Sequence, residues 1–233
     1  MKRWLVLVLT VMGLFCGCSA DGEYNVLITK EEQETDYSTV YAEVIAFGGF
    51  ANKEYEETLN AEIENNISAA IGEFDQLAQE NAQSMPPGIK SDLHITQSVK
   101  RNSGGIISFV TENYTYFGGA HGNTVWYPQT IDIRQEAPHN MELSELFTDE
   151  AYIEKINNLI DVMVKENPDK YSELWAEPHI TEKTKYEYYL TDEELVIWFP
   201  PYELSYYAKG FIEFPIRLTE LSGLLKEEYR TAE

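Results

Sequence analysis

Apolar residues recur along this chain with two different periods, and the switches between them mark its elements. Tyr37 to Phe47 (YSTVYAEVIAF) is rich in β-branched and aromatic residues and reads as a strand that Gly48-Gly49 ends. The period then changes. Tyr55, Leu59, Ile63, Ile67, Ile71, Phe74 and Leu77/Ala78 recur every three or four residues behind Asn52, a good N-cap, with Glu54, Glu56 and Glu57 in the first turn. This predicts an amphipathic helix of roughly 30 residues, closed by Met85-Pro86-Pro87-Gly88. From Ile89 to Val99 the alternation is twofold again. Leu93, Ile95 and Val99 share one face; Lys90, Asp92, His94, Thr96 and Ser98 share the other, so His94 is expected at the surface. Gly104-Gly105 reads as a hairpin turn, with strands at Ile106 to Phe117 and Val125 to Ile133.

The second half repeats this logic. Leu143 to Phe147 (LSELF) is a short apolar turn. Thr148 is expected to cap a helix whose buried face is Tyr152, Ile153, Ile156, Leu159, Ile160, Met163 and Val164, and Asn167-Pro168 ends it. Trp175 to Thr184 reads as loop. Tyr186 to Leu190 and Leu195 to Phe199 are strands around the turn Thr191 to Glu194, and Pro200-Pro201-Tyr202 breaks the pattern. Phe211 to Ile216 is a last strand, and Leu218, Leu221, Leu224 and Leu225 suggest a short final helix. The order β-α-β-β-β-α-β-β-β, with strand runs and only two long helices, predicts an α+β fold with a mainly antiparallel sheet.

The first residues obey a different pattern. Lys2 and Arg3 precede an apolar run from Trp4 to Phe15. That run is shorter than the ~20 residues of a membrane span and suits the core of a secretory signal. Gly17-Cys18 behind it resembles a bacterial lipobox, although Phe15 stands where leucine is usual. The expected division is a signal peptide at 1–17, a lipidated Cys18 with a polar tether to 36, one folded domain over 37–226, and a tail at 227–233. The lipid would hold the protein on the outer face of the bacterial cell membrane. Cys16 and Cys18 are the only cysteines, so an exported form would have no disulfide and would depend on its core.

Charge narrows the partners. The chain of 233 residues has 17 basic and 40 acidic side chains, a net −23. Without Lys2 and Arg3 it would have 15 basic residues and a charge of −25. Nucleic acid and anionic lipid surfaces are poor partners for such a chain, whereas a cationic protein is drawn to it.

Candidate chemistry concentrates in Tyr114 to Pro128 (YTYFGGAHGNTVWYP), where glycines flank His121 between two aromatic strands. A catalytic histidine needs a nucleophile or a water, and an orienting group. There is no GxSxG elbow, and cleavage before a lipidated Cys18 would leave no free thiol. His94, His121, His139 and His179 lack metal-ligand spacing, so neither a metal nor another cofactor is expected. A carboxylate pair for glycoside cleavage would have to come from residues such as Asp132, Glu142, Glu145, Glu187 and Glu203, and nothing in the sequence selects among them. The tyrosines of Pro200 to Tyr207 suit either an exposed contact surface or rings buried with their hydroxyls at the rim.

Three groups of residues carry a resemblance: Gly118-Gly119-Ala120-His121; LSELF and its acidic helix; and Pro201-Tyr202-Glu203-Leu204 followed by Tyr207-Ala208-Lys209-Gly210. In order and spacing, from Tyr37 to Leu221, they resemble the extracellular domain of RsiV-type anti-sigma factors, a domain type also found in PdaC-type peptidoglycan deacetylases. Arg134 to Asn140 (RQEAPHN) departs from the Asp-and-Gly turn usual there. No sigma-binding segment or membrane helix fits before Cys18, and no deacetylase domain follows, so the exported domain alone is expected, as a binding protein and not an enzyme. The resemblance implies a lysozyme-like cationic hydrolase as ligand, sensed or sequestered at the envelope. The candidate contacts are Gly118, Gly119, Ala120, His121, Pro201, Tyr202, Glu203, Tyr206 and Tyr207. The alternatives are a peptidoglycan-binding module and a hydrolase that uses carboxylates or His121.

Overall fold

The computed structural model describes residues 7–9 and 24–230. The expected lipid anchor at Cys18, and all of the expected signal peptide but Leu7–Leu9, lie outside them. The fold is α+β. One sheet contains β2 (Asn25–Glu34), β3 (Ser38–Gly48), β4 (Ser91–Ser103), β5 (Ile106–Tyr116) and β6 (Asn123–Asp132), side by side in that order, and the short β1 (Leu7–Leu9) lies antiparallel along β2. Three corrections follow. The stretch expected as a tether is largely β2, paired with β3 over its whole length, Val26 opposite Phe47 and Gln33 opposite Val40. Its alternation had been masked by glutamates on its open face. The sheet is also mixed: β3 and β4 run parallel, with Val40 opposite Leu93 and Ala42 opposite Ile95. A parallel pair needs a crossover, and α1 (Lys53–Asn81) supplies it in 29 residues. Finally, Thr148 does not cap the next helix; its hydroxyl donates to the Leu224 carbonyl at 3.1 Å, while Asp149 accepts from the Ala151 N–H.

Helix α1 starts where its cap directs. The Asn52 side chain accepts from the Tyr55 N–H at 3.1 Å. Tyr55, Leu59, Ile63, Ile67, Phe74 and Ala78 are buried against the sheet, and Leu77 is exposed. Asn60 fastens the helix by accepting from the Phe47 N–H and donating to the Phe47 carbonyl, both at 2.8 Å. Parallel pairing ends at Ala42 and Ile95. Beyond it the Gln97 side chain takes over, accepting from the Ile45 N–H at 2.7 Å and donating to Thr111 Oγ1 at 2.8 Å.

A second, antiparallel sheet contains β7 (Tyr188–Leu190), β8 (Glu194–Phe199) and β9 (Ile212–Arg217). It is buried on both faces, which explains the unbroken apolar run LVIWF in β8. On one side Leu195, Ile197, Phe214 and Ile216 share a core with α2 (Ala151–Glu166), the LSELF turn and the short α3 (Leu218–Leu221). On the other, Tyr189, Val196 and Trp198 meet Val110 and Trp126 of the first sheet. Helices of 29, 16 and 4 residues and two strands, β1 and β2, ahead of the expected first one replace the simpler order read from the pattern.

The expected tail is also tied in. Tyr229 is buried and donates its hydroxyl to Asp132 Oδ2 at 3.2 Å. Asp132 is 2% exposed and accepts from Arg134 Nε and Nη2, each at 2.8 Å. Its carbonyl accepts the Tyr55 hydroxyl at 3.1 Å. One carboxylate residue thus joins α1, β6 and the C-terminal segment. Burial pushes the Asp132 carboxyl up, but the bonds and charge of Arg134 and the Tyr229 hydroxyl outweigh it and hold the group below its ordinary range.

Asp132→Asn should therefore destabilise the fold. Breaking a fully buried pair costs about 3–5 kcal/mol, and the solvent open to Arg134 reduces this to about 2–3 kcal/mol. A depressed folded-state pKa means the stabilisation is complete above the ordinary aspartate value of about 3.9 and is lost as pH falls through the lower folded value. Urea unfolding across the acid range should show a loss of stability in the native chain that is shallower in Asp132→Asn.

Candidate functional site

Two loops that lie far apart in sequence meet beside the end of β6. The first follows β5. Gly119 has φ +109°, a conformation open to glycine. Gly122 lies so close to the Tyr114 ring that a Cβ would run into it. The second loop follows β8. Glu203 N–H donates to the Pro200 carbonyl at 3.2 Å, closing a turn with Pro201 at its second position and Tyr202 at its third. Tyr202 has φ +72°. That is the pattern of a type II turn, whose third position usually falls to glycine; a tyrosine there is strained.

The two loops are joined by aromatic contact. The His121 ring stacks on Tyr207, centroids 4.3 Å apart and planes 20° from parallel. The Tyr207 hydroxyl donates to the Gly122 carbonyl at 2.8 Å. His121 Nδ1 lies 2.7 Å from the same carbonyl, which makes Nδ1 the protonated nitrogen. The Tyr202 ring also packs on Tyr207, with centroids 5.6 Å apart.

Glu173 and Trp175, in the segment after α2, clamp the second loop. The Glu173 carbonyl accepts from Ser205 Oγ at 3.0 Å, and its carboxylate takes the Tyr206 hydroxyl at 2.8 Å and Lys209 Nζ at 3.2 Å. Trp175 Nε1 donates to the Glu203 carbonyl at 2.9 Å. Glu173, like Tyr202, is a non-glycine residue at positive φ, +68°. Backbone strain of this kind persists only where surrounding bonds enforce it; here Ser205 links the two, its carbonyl accepting from the Tyr202 N–H at 3.1 Å and its hydroxyl donating to the Glu173 carbonyl.

The resulting face is aromatic and acidic. Tyr202 and Trp175 are each 58% exposed and Tyr206 is 43% exposed, while Leu204 and Ser205 anchor the loop from within. The tyrosines therefore divide: 202 and 206 face solvent and Tyr207 is partly covered. Loss of surrounding water, and then the like charge of Glu187, push the Glu203 carboxyl above its ordinary range. Of the candidate residues, His121 on one loop is brought against Tyr207 on the other, with Tyr202 packed on Tyr207; Gly118, Gly119 and Ala120 only share the first loop with His121, and Gly118 lies against Met85. Trp175 and Glu173 were missed, because they fall in a stretch without periodicity; an isolated tryptophan in a polar loop was the available signal.

Other candidates are dispersed. His94 pairs with Asp92, His139 with Glu145 and His179 with Asp161. Among the described residues, no three His, Cys, Asp or Glu side chains gather as a metal site would require. Asp132 is held by Arg134, Glu142 pairs with Lys185, Glu145 closes the turn at Leu143, and Glu187 accepts from the N–H groups of Lys185 and Tyr186. Among the described residues, no helix is long and apolar enough to cross a membrane.

Comparison with known proteins divides the chain at the same place. Residues 31–124 match the family model described as Deacetylase PdaC, and residues 144–219 match a family described as a protein of unknown function, DUF3298. The chain is 29% identical over 207 residues to anti-sigma-V factor RsiV of Bacillus subtilis, covering 84% of this chain and 69% of that protein. It is 21% identical over 240 residues to the peptidoglycan-N-acetylmuramic acid deacetylase PdaC of the same organism, covering 97% of this chain but only 50% of that protein. Two solved structures of the DUF3298 family share the fold. One, from Bacteroides fragilis, has a TM-score of 0.66 at 14% identity and covers 89% of this chain and 96% of its own. The other, from Pseudomonas aeruginosa, has a TM-score of 0.57 at 17% identity and covers 100% and 99%. The first matched region ends just beyond His121, and the second includes Tyr202 and Tyr207, so the aromatic contact bridges the two.

The bridge should be measurable. Tyr207→Phe removes one hydrogen bond and should cost about 1 kcal/mol. In a double-mutant cycle, His121→Ala and Tyr207→Ala should couple by about 0.5–1.5 kcal/mol, the range for aromatic pairs. Denaturant unfolding of Tyr207→Phe and of the four proteins of the cycle checks both.

Proposed function

Starting from a chain that carries the RsiV/PdaC-type domain, we propose that it is an exported, lipid-anchored binding protein of the cell envelope, and that its aromatic, acidic face captures a lysozyme-like cationic hydrolase. The observation that carries this reading is the meeting of His121 and Tyr207, beside which Tyr202, Tyr206 and Trp175 are exposed on a loop tied by Glu173 and by the Trp175–Glu203 bond. Aromatic anchors on a preorganised surface are what protein interfaces use most. The carboxylates of Glu173 and Glu203 and the net charge of −23 favour a basic partner. The likeness to an anti-sigma factor supports a sensing or sequestering role. The likeness to a deacetylase extends over half of that protein, and the site described here has no nucleophile and base in contact, so binding without catalysis is the reading adopted. Cys18 would be the membrane anchor.

The test is calorimetric titration of residues 19–233 with a cationic lysozyme at low and physiological salt. Saturable, near-equimolar binding that weakens with salt is expected, since exposed charges are screened within about 8 Å at physiological ionic strength. Tyr202→Ala should weaken it by at least about tenfold, as loss of an interface anchor does. Binding should also decline in mild acid, because Glu203 loses its negative charge at a higher pH than an ordinary carboxyl. Absence of lysozyme binding together with salt-insensitive binding of peptidoglycan fragments would replace this partner with a glycan. Cys18→Ser should move the protein from the membrane fraction to the medium; an unchanged membrane fraction would remove the anchor.

A further inference from the structure

Strand β6 is an outer strand of its sheet, and half of its free edge is already in use. The Thr130 N–H donates to Asn140 Oδ1 at 2.9 Å, the Thr130 carbonyl accepts from the Met141 N–H at 2.8 Å, and the Pro128 carbonyl accepts from Asn140 Nδ2 at 3.2 Å. These groups point away from β5. Strand backbone repeats every two residues, so the N–H and C=O of Trp126 and Thr124 point the same way. Among the described residues, neither has a hydrogen-bond partner on that side. The open edge runs from the Gly122 loop to Pro128, which has no N–H to offer.

This edge borders a cavity of about 730 Å³. The C-terminal part of α1 covers β3 and β4, and its N-terminal part reaches only the far end of β6, where Tyr55, Leu59 and Ile63 share a core with Ile131, so Val125 and Tyr127 are left exposed. Glu73 and Leu77 of α1, Asn113 of β5, Val125 and Tyr127 of β6, and Glu187 ahead of β7 all line it. The lining contains carboxylates but no lysine, arginine or histidine. The amide oxygen of Asn113 is buried without a donor. Tyr127 is 53% exposed and Val125 37%. Two unpaired peptide groups at strand spacing, apolar lining side chains, an acceptor without a donor and lining charges of one sign together specify an occupant. It is extended, it offers backbone N–H and C=O groups, and it is basic.

We propose that the Asn123–Tyr127 edge of β6 binds an extended basic peptide segment of another protein as an added strand. The added strand pairs with the peptide groups of Thr124 and Trp126, about 4.8 Å from β6. Side chains opposite Val125 and Tyr127 enter the cavity, where a lysine or arginine meets Asn113 Oδ1 and the Glu73 carboxylate. A glycan could stack on Tyr127 but would not reproduce two alternating donor–acceptor pairs along a strand. This proposal stands apart from the capture of a lysozyme at Tyr202, because its groups are on β5, β6 and α1 and not in the Pro200–Gly210 loop.

The test uses a blocked heptapeptide that alternates lysine and threonine, with two controls: the same peptide N-methylated on alternate amides, and a glutamate–threonine counterpart. The lysine peptide should bind saturably and slow hydrogen exchange at the amides of Thr124 and Trp126. N-methylation and Thr124→Pro should each weaken binding at least about tenfold, the change expected when strand pairing supplies the affinity. Glu73→Lys, an exposed substitution on α1 that leaves the edge intact, should abolish preference for the lysine peptide and favour the glutamate one. Equal binding of the N-methylated peptide, unchanged affinity in both variants, or no binding by any of the peptides would overturn the proposal. Protection of Thr124 and Trp126 by an oligosaccharide, or by self-association without peptide, would assign the edge to a glycan or to a second copy of this chain instead.

Discussion

Everything else in the structure hangs on the two faces of β5. Its residues from Ile106 to Thr111 are all buried. Alternation sends Ile107 and Phe109 into the core beneath α1, with Ile45, Leu59 and Ile131. It sends Ile106 and Val110 to the other side, against the second sheet and its helices. The one polar residue between them is also used. Ser108 Oγ accepts from the Leu190 N–H at 3.0 Å and shares a hydrogen bond with Thr130 Oγ1 at 2.9 Å. A single strand therefore joins the PdaC-like and DUF3298-like regions into one packed body, and a one-residue slip of β5 would exchange the contents of both cores.

That junction explains where the candidate site lies. Because β5 is held from both sides, the loop that leaves it at Phe117 and the loop that leaves β8 at Phe199 emerge close together. The His121–Tyr207 stack then closes the gap between them. Strain at Tyr202 and Glu173 is tolerated because hydrogen bonds from Ser205, Trp175 and Tyr206 enforce it. The same arrangement leaves the outer half of the first sheet uncovered. Helix α1 reaches β6 only at its Ile131 end, so the Asn123–Tyr127 half of β6 forms a second surface of different character: open peptide groups beside a cavity whose charged lining residues are the carboxylates Glu73 and Glu187.

The acid excess is distributed between structural and surface duties. Asp132 is consumed in a buried contact with Arg134 and two tyrosines, and Glu56 and Asn52 fasten the start of α1. Glu173 and Glu187 are exposed but already hold Tyr206, Lys209 and two backbone N–H groups, whereas Glu203 and Glu73 are exposed carboxylates that a partner can meet. Composition counts all forty acidic residues alike; only their surroundings separate a carboxylate that holds the fold from one that faces a ligand.

Local pattern was enough for what depends on neighbours along the chain. The cap at Asn52, the stripe of α1, the alternation of β4 with His94 outside, the turn at Gly104-Gly105 and the candidate loops at Gly118–His121 and Pro201–Tyr207 were all legible, because periodicity and turn chemistry act over a few residues. Three things were not. Strand β2 carries glutamates on its open face and so looked like a tether; only its pairing with β3 defines it. The parallel direction of β3 and β4 follows from where α1 returns the chain. The stack of His121 on Tyr207, the clamp by Trp175 and the open edge of β6 are contacts between segments far apart in sequence. The sequence by itself determined most of the strands and helices and which loops were candidates for a site. Only the tertiary structure decided which of them meet, because that choice is made by shared burial, which no stretch of chain contains alone.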